Sequence, residues 1–187
     1  MKVKETPIPG CYELLPKTHL DERGSFVKIF HEPTFKELGL CAHFAEEYYS
    51  VSKRHVLRGM HFQVPPRDHV KLVCCVMGSV MDVVVDLRKG SPTYRHHFAI
   101  ELSAEKANML YIPKGLAHGF CVMSDQVIML YKVSSVYAPE HDCGIRWDTI
   151  GFRWPVENPV ISERDHSFPG LDAFHSPFVF SGEARKQ

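Results

Sequence analysis

Two segments place a histidine where it could do chemistry: Val56-Leu57-Arg58-Gly59-Met60-His61-Phe62-Gln63 and Ile112-Pro113-Lys114-Gly115-Leu116-Ala117-His118-Gly119-Phe120. Each His follows a Gly by two or three residues and falls on an expected strand or strand entry. Imidazole has an unperturbed pKa near neutrality, so a poised His can serve as general base, proton shuttle or metal ligand. A lone His on a strand is nevertheless more often a satisfied structural residue, and the company it keeps decides. The remaining chemistry-bearing groups have plainer readings. Asp82 reads as a strand-face carboxylate ahead of a second partner for a site histidine, Arg88, Ser91 and Pro92 as shapers of a turn, and Tyr48 and Tyr49 as wall or interface packing. The His96-His97 pair has no Cys or carboxylate at metal spacing. The six cysteines show no CxxC spacing and read as free thiols.

The elements that must position these groups are short. Gly and Pro recur at close intervals, and the runs between them are rich in Val, Ile, Phe and Tyr, the texture of an all-β sandwich or barrel. Strands are expected over 10–15, 25–31, 44–52, 57–62, 69–76, 78–87, 96–102, 108–112, 119–124 and 126–133, with one helix over 32–38 that starts on Pro33. Gly78-Ser79 suits a two-residue hairpin between 71–77 and 80–87. In the second of those strands Val83, Val85 and Leu87 alternate with Asp82, Val84 and Asp86, which reads as a wall with one buried face. After Pro139 the strand texture stops, and 140–187 reads as a C-terminal wrap with a short helix near 171–174. The whole chain of 187 residues is expected to form a single domain.

Pro113-x-Gly115-x-x-His118 resembles the P-x-G-x-x-H element of cupins, which implies an all-β jelly-roll barrel with short peripheral helices. Metal-binding cupins carry H-x-H followed by Glu, but here Gln63 holds the second His position and a cation, Lys71, follows. An imidazole, an amide and an ammonium make a poor divalent-metal site, so no metal is expected.

The resemblance goes further. Asp21-Glu22-Arg23-Gly24-x-Phe26, Lys71-Leu72-Val73, Asp82-Val83-x-Val85-Asp86-x-Arg88-x-x-Ser91-Pro92-Thr93, Tyr131-Lys132, Tyr137-x-Pro139, Trp154-Pro155 and Ser162-x-x-Asp165 occur in the order and spacing of the dTDP-4-dehydrorhamnose 3,5-epimerase family. That family inverts ring carbons of a nucleotide-linked 4-keto-6-deoxyhexose, in the making of deoxysugar and O-antigen-type polysaccharide precursors, without a cofactor. The C4 ketone acidifies the hydrogens on C3 and C5, so a base can remove one and an acid can return a proton from the other face. The resemblance implies His61 as base, Asp165 as the carboxylate that orients it, Tyr131 as the opposite-face acid, and Lys71 and Arg58 as the cations that stabilise the enolate. It implies substrate contacts by Arg23, His118 and Arg164 near the diphosphate, Tyr137 and Phe26 as apolar surfaces, and Asp142 and Gln63 as polar ones. It also implies a homodimer that exchanges N-terminal strands, with residues 23–28 reaching the neighbour's site.

Two features stand apart from that pattern. Strict alternation sends Arg58 and His61 to opposite faces of a strand, and Gly59 between them could host a bulge that re-aims Arg58. The family's base-contacting Glu and Gln-x-Asn positions here hold Lys28 and Glu46-Glu47-Tyr48. Glu46 could accept a hydrogen bond from the amino group of cytosine, which sets a CDP-linked substrate beside the dTDP-linked one. An enzyme that inverts only C3, a metal-dependent cupin isomerase or oxygenase, and a non-catalytic sugar-nucleotide binding module are the alternative readings.

Charge and hydropathy narrow the partners. The 22 basic and 22 acidic side chains cancel, with no basic stripe to bind nucleic acid or an anionic membrane. Charged and small residues interrupt every apolar run, and the first residues lack the apolar stretch of a secretion signal. A cytoplasmic protein is the expectation.

Overall fold

The β-branched and aromatic runs form strands almost wherever they occur, in a computed structural model that describes residues 1–182. One sheet of six antiparallel strands runs in the order β1 (Lys2–Glu5), β2 (Tyr12–Leu15), β10 (Met109–Ile112), β7 (Lys71–Met77), β12 (Gln126–Val133) and β5 (Glu46–Lys53). A second runs β13 (Asp142–Gly144), β6 (Leu57–Gln63), β11 (Leu116–Val122), β8 (Ser79–Asp86) and β9 (His97–Ser103). β3 (Thr18–Asp21) and β4 (Gly24–Val27) make a separate hairpin. Helices are short and peripheral: α1 (Glu32–Glu37), α2 (Glu163–Ser167) and three 3-10 turns, one of them at Leu171–Ala173 where a short helix is expected. The expected all-β barrel is what forms.

The two large sheets face each other, and Val73, Val84, Leu110, Phe120, Val122 and Met129 fill the space between them. Each sheet also has a covered outer face. Phe35 of α1 and Leu40 lie over Leu14, Leu72 and Met109 of the six-stranded sheet. Ile145, Ile150, Trp154, Leu171 and Phe178 lie over Leu57, Phe62, Val83, Val85 and Ala117 of the five-stranded sheet. Burying a side chain such as Leu57 or Val85 stabilises by about 1.5–3 kcal/mol, which is why the segment after Pro139 stays on the barrel with only the short β13 as a strand. Residues 183–187 of the expected 140–187 wrap lie outside the described residues.

Two expectations about β7 and β8 need correction. The strands do not pair as a hairpin. At Gly78, with φ of +78°, the chain leaves the six-stranded sheet and enters the other, and a side chain there would stand 2.2 Å from Ser124 Oγ. Glycine's positive φ is used, as the dipeptide suggests, but for a corner between sheets. Nor is β8 a one-sided wall. Val83 and Val85 meet the C-terminal segment while Val84 meets the inter-sheet core, and Asp82 and Asp86 are fully buried with it. Asp86 is satisfied by Arg88, Ser91 and Thr93, which together close the turn after β8.

The bulge expected at Gly59 is present. His61 faces His118 and Arg58 faces Phe120, so Gly59 and Met60 together oppose the single residue Gly119. Gly59 sits at φ +134°, and a Cβ there would lie 2.5 Å from the Gly119 Cα. Only glycine fits so close an approach at that φ, and the extra residue turns Arg58 to the same side as His61. No helix among the described residues is long and apolar enough to cross a membrane.

Candidate active site

Between the sheets lies a cavity of about 400 Å³ that both Arg58 and His61 line. β6 carries His61 into it, and α2 brings up the partner. Ser162 caps α2 by accepting a hydrogen bond from the Asp165 N–H at 3.1 Å, which turns Asp165 inward, where it is 3% exposed. One oxygen of Asp165 stands 2.8 Å from His61 Nε2, and the other accepts the Gly59 N–H at 3.1 Å. The bulge glycine thus anchors the carboxylate that aims the imidazole. A carboxylate at Nε2 calls for a proton there, which leaves Nδ1 as the basic nitrogen. Burial lowers the His61 pKa, Asp165 pulls it back up, Lys71 and Arg164 press it down, and the net direction is down. The ring is neutral near pH 7. Burial alone would raise Asp165, but its bonds to His61 and Gly59 leave it below the usual carboxylate value.

Lys71, at the start of β7, is 7% exposed and donates from Nζ to the His61 carbonyl oxygen at 3.1 Å. Burial brings its pKa down to about 8, although Asp142 and Asp82 favour the charged form. Arg58 is held by Ser52, whose Oγ accepts from Nε at 2.9 Å. Tyr131 enters from β12 on the opposite sheet, with its phenol oxygen 3.3 Å from Ser50 Oγ. Burial raises its pKa above the ordinary tyrosine value, so it stays a proton donor. A neutral base and a protonated phenol therefore face one space from opposite walls, with an ammonium at its floor. That arrangement can move a proton off one face of a carbon and supply another to the opposite face.

Several other expected residues line the cavity. His118 is buried, and its Nε2 stands 2.8 Å from Oδ2 of Asp82. Of the two readings of Asp82 the less favoured one holds: it is a second carboxylate partner to a site histidine. Arg164 and Asp142 pair at 2.6 Å, and the Arg164 guanidinium lies over the Phe168 ring. Tyr137 stands half out of the opening, 57% exposed. Glu46 and Gln63 line the wall too, but both are engaged with the loop that carries Tyr137. Glu46 Oε2 accepts the Tyr137 N–H at 2.8 Å, and Gln63 Oε1 accepts the Ala138 N–H at 2.6 Å. The Gln63 amide nitrogen donates among Arg67 O, Val136 O and His69 Nδ1.

Arg23, Phe26 and Lys28 are not brought to this cavity. They sit on or just past the β3–β4 hairpin, where Arg23 is bonded to Asp21 and Phe26 is 62% exposed. The polar cavity residues Ser50, His69 and Ser135 are not among the sequence expectations, nor is Ser52, which holds Arg58 from behind the wall. Ser50 and Ser52 were recoverable, because Glu46, Tyr48, Ser50 and Ser52 share one face of β5 at period two. All six cysteines are free, and no cluster of three or more His, Cys, Asp or Glu able to hold a metal occurs among the described residues.

Comparison with known proteins gives this geometry a lineage. The family model described as dTDP-4-dehydrorhamnose 3,5-epimerase matches residues 5–173. The dTDP-4-dehydrorhamnose 3,5-epimerase of Shigella flexneri is 43% identical over 168 residues, 88% of this chain and 93% of that protein. Among solved structures, dTDP-6-deoxy-D-glucose-3,5-epimerase from Legionella pneumophila Philadelphia 1, in complex with dTDP-4-keto-L-rhamnose, is 33% identical and aligns with a TM-score of 0.91 over 96% of this chain and 99% of that one. A 3'-monoepimerase from Streptomyces bikiniensis, in complex with dTDP-quinovose, is 32% identical with a TM-score of 0.84, covering 89% of this chain and 86% of that one. The shared fold is the cupin jelly roll, and the family match runs from β1 through both sheets to the helix that supplies Asp165. This chain belongs to the dTDP-4-dehydrorhamnose 3,5-epimerase family.

Proposed function

We propose that the protein inverts C3 and C5 of a dTDP-linked 4-keto-6-deoxyhexose, a step in deoxysugar and O-antigen-type precursor biosynthesis. The observation that carries the reading is the opposition of His61–Asp165 on one wall to Tyr131 on the other, with Lys71 between them in sequence and chemistry. His61 Nδ1 takes the proton from the carbon next to the ketone, and Asp165 stabilises the imidazolium that results. The electron pair moves onto the C4 oxygen, where Lys71 and Arg58 meet the negative charge. Tyr131 returns a proton from the far face and inverts the carbon. Its phenolate then recovers a proton from solvent as His61 releases one, so no net charge or redox change remains.

Thymidine is the proposed nucleotide, supported by the relatives. In the cytidine reading Glu46 accepts from the base; here its Oε2 accepts the Tyr137 N–H, which gives the carboxylate a role in holding the Tyr137 loop without any base. The relatives named above are enzymes of dTDP sugars. The β3–β4 hairpin supports a homodimer. Two strands alone are marginally stable, every residue of β3 is exposed, and Leu20 is 78% exposed. In the proposed dimer the hairpin docks on the partner, and Arg23, Phe26 and Lys28 complete the partner's nucleotide site.

Competitive inhibition tests both points. We expect dTDP to inhibit turnover at least about tenfold more tightly than CDP, and Arg23→Ala to weaken dTDP by about tenfold through loss of a charge-assisted phosphate contact. Tighter binding of CDP contradicts the thymidine assignment. Unchanged dTDP inhibition in Arg23→Ala contradicts the hairpin's place at the site.

A further inference from the structure

The four inward side chains of β5 engage three groups at the cavity. Glu46 holds the Tyr137 N–H, Ser52 holds Arg58, and between them Tyr48 and Ser50 both address Tyr131. Tyr48 lies directly across from Tyr131 in the β5–β12 register. The two rings stack with centroids 4.7 Å apart and planes 15° from parallel, while Ser50 Oγ meets the Tyr131 hydroxyl at 3.3 Å. On Tyr131's other side in the sheet stands Val73, which has no polar group to fix a phenol.

We infer that Tyr48 is a positioning residue for the proton donor: its ring fixes the plane of Tyr131 and screens that ring from solvent, so that the phenol held by Ser50 points at the enolate. The inference rests on the epimerase reading above and deepens it. A general acid must lie within hydrogen-bond reach of the carbon it protonates, and a small angular error at the ring becomes a large error at the oxygen. The stack acts on the second proton transfer only. His61 removes the first proton whether or not Tyr131 is aligned, and when Tyr131 is misaligned the proton returns from His61 to the face it left.

The two transfers separate in deuterated water, where exchange at C3 and C5 reads His61 and net inversion reads Tyr131. Tyr48 is 41% exposed on an edge strand, so truncation there opens no closed core cavity. We expect Tyr48→Phe to keep both rates within about twofold, since the ring is retained. Tyr48→Ala should lower inversion about tenfold while exchange stays within about twofold. Equal loss of exchange and inversion in Tyr48→Ala, or unchanged inversion, overturns the inference. So does a loss in Tyr48→Phe as large as in Tyr48→Ala, because the hydroxyl would then be the group that matters. Absence of exchange in the wild-type protein is a distinct result, which overturns the epimerase reading and this inference with it.

Discussion

Replacing His61 by Asn lowers kcat/KM for a dTDP-linked 4-keto-6-deoxyhexose by about three orders of magnitude, within the range that general-base catalysis supplies. Asn retains a polar group of similar size that can still meet Asp165, but it has no basic nitrogen to accept a proton. The fold should survive, because His61 is only partly buried and its strand is held by β11 and β13 on either side. The loss should fall on kcat, since the ring acts on the reacting carbon and adds little to the hold on the nucleotide. A variant that binds dTDP like the wild type and does not exchange the C3 or C5 hydrogens is the expected outcome. Retention of a tenth or more of the wild-type rate assigns the base elsewhere.

The second large effect belongs to Lys71. Replacing it by Met removes the cation nearest the developing enolate and should lower kcat by about 10²- to 10³-fold, the scale of one preorganised donor at a developing oxyanion. Methionine fills the space of a buried lysine stem, and the nearby carboxylates Asp82 and Asp142 keep their partners His118 and Arg164. The pH profile tests the same assignment independently. Lys71 must be charged, and burial brings its pKa down to about 8, so kcat/KM should fall as pH rises through that value. His61 must be neutral, and its pKa is lowered, so the acid limb should lie below the ordinary histidine value. Lys71→Arg keeps its charge throughout and should abolish the alkaline limb while retaining part of the rate. An alkaline limb that survives in Lys71→Arg belongs to another group.

The sheets were legible in the sequence because their strands are apolar and bounded by Gly and Pro, as in 57–62, 108–112 and 126–133. The strands that went unread, β1, β3 and β13, are only three or four residues long. β1 reads Lys-Val-Lys-Glu and β3 reads Thr-His-Leu-Asp, and neither has a buried face to impose alternation. Gly78-Ser79 was read correctly as a turn and wrongly as a hairpin. Which strand a turn leads to depends on pairing with strands far along the chain, and two residues carry none of that information.

The site was legible to a different depth at each residue. A bulge at Gly59 is suggested by the conflict between strand alternation and the site roles that the family resemblance gives Arg58 and His61, and the register of β6 against β11 bears it out. The pairing of Asp82 with His118 was not forced, because 36 residues separate them and only the β8–β11 register brings them together. Glu46 was read as a free carboxylate, although its partner is a backbone N–H on the loop after β12. Backbone partners leave no trace in residue type. Arg23, Phe26 and Lys28 lie away from the cavity of their own chain, and only the proposed dimer gives them a place at a site.

The central claim is that one base and one opposing acid act on both carbons that flank the ketone. It is tested most directly by incubating the protein with dTDP-4-keto-6-deoxyglucose in deuterated water and counting deuterium at C3 and C5 of the recovered sugar. One deuterium at each carbon, with both centres inverted, is the predicted result. Deuterium at C3 alone would contradict the double inversion and make the protein a 3-epimerase, and deuterium at neither carbon would contradict the epimerase account altogether.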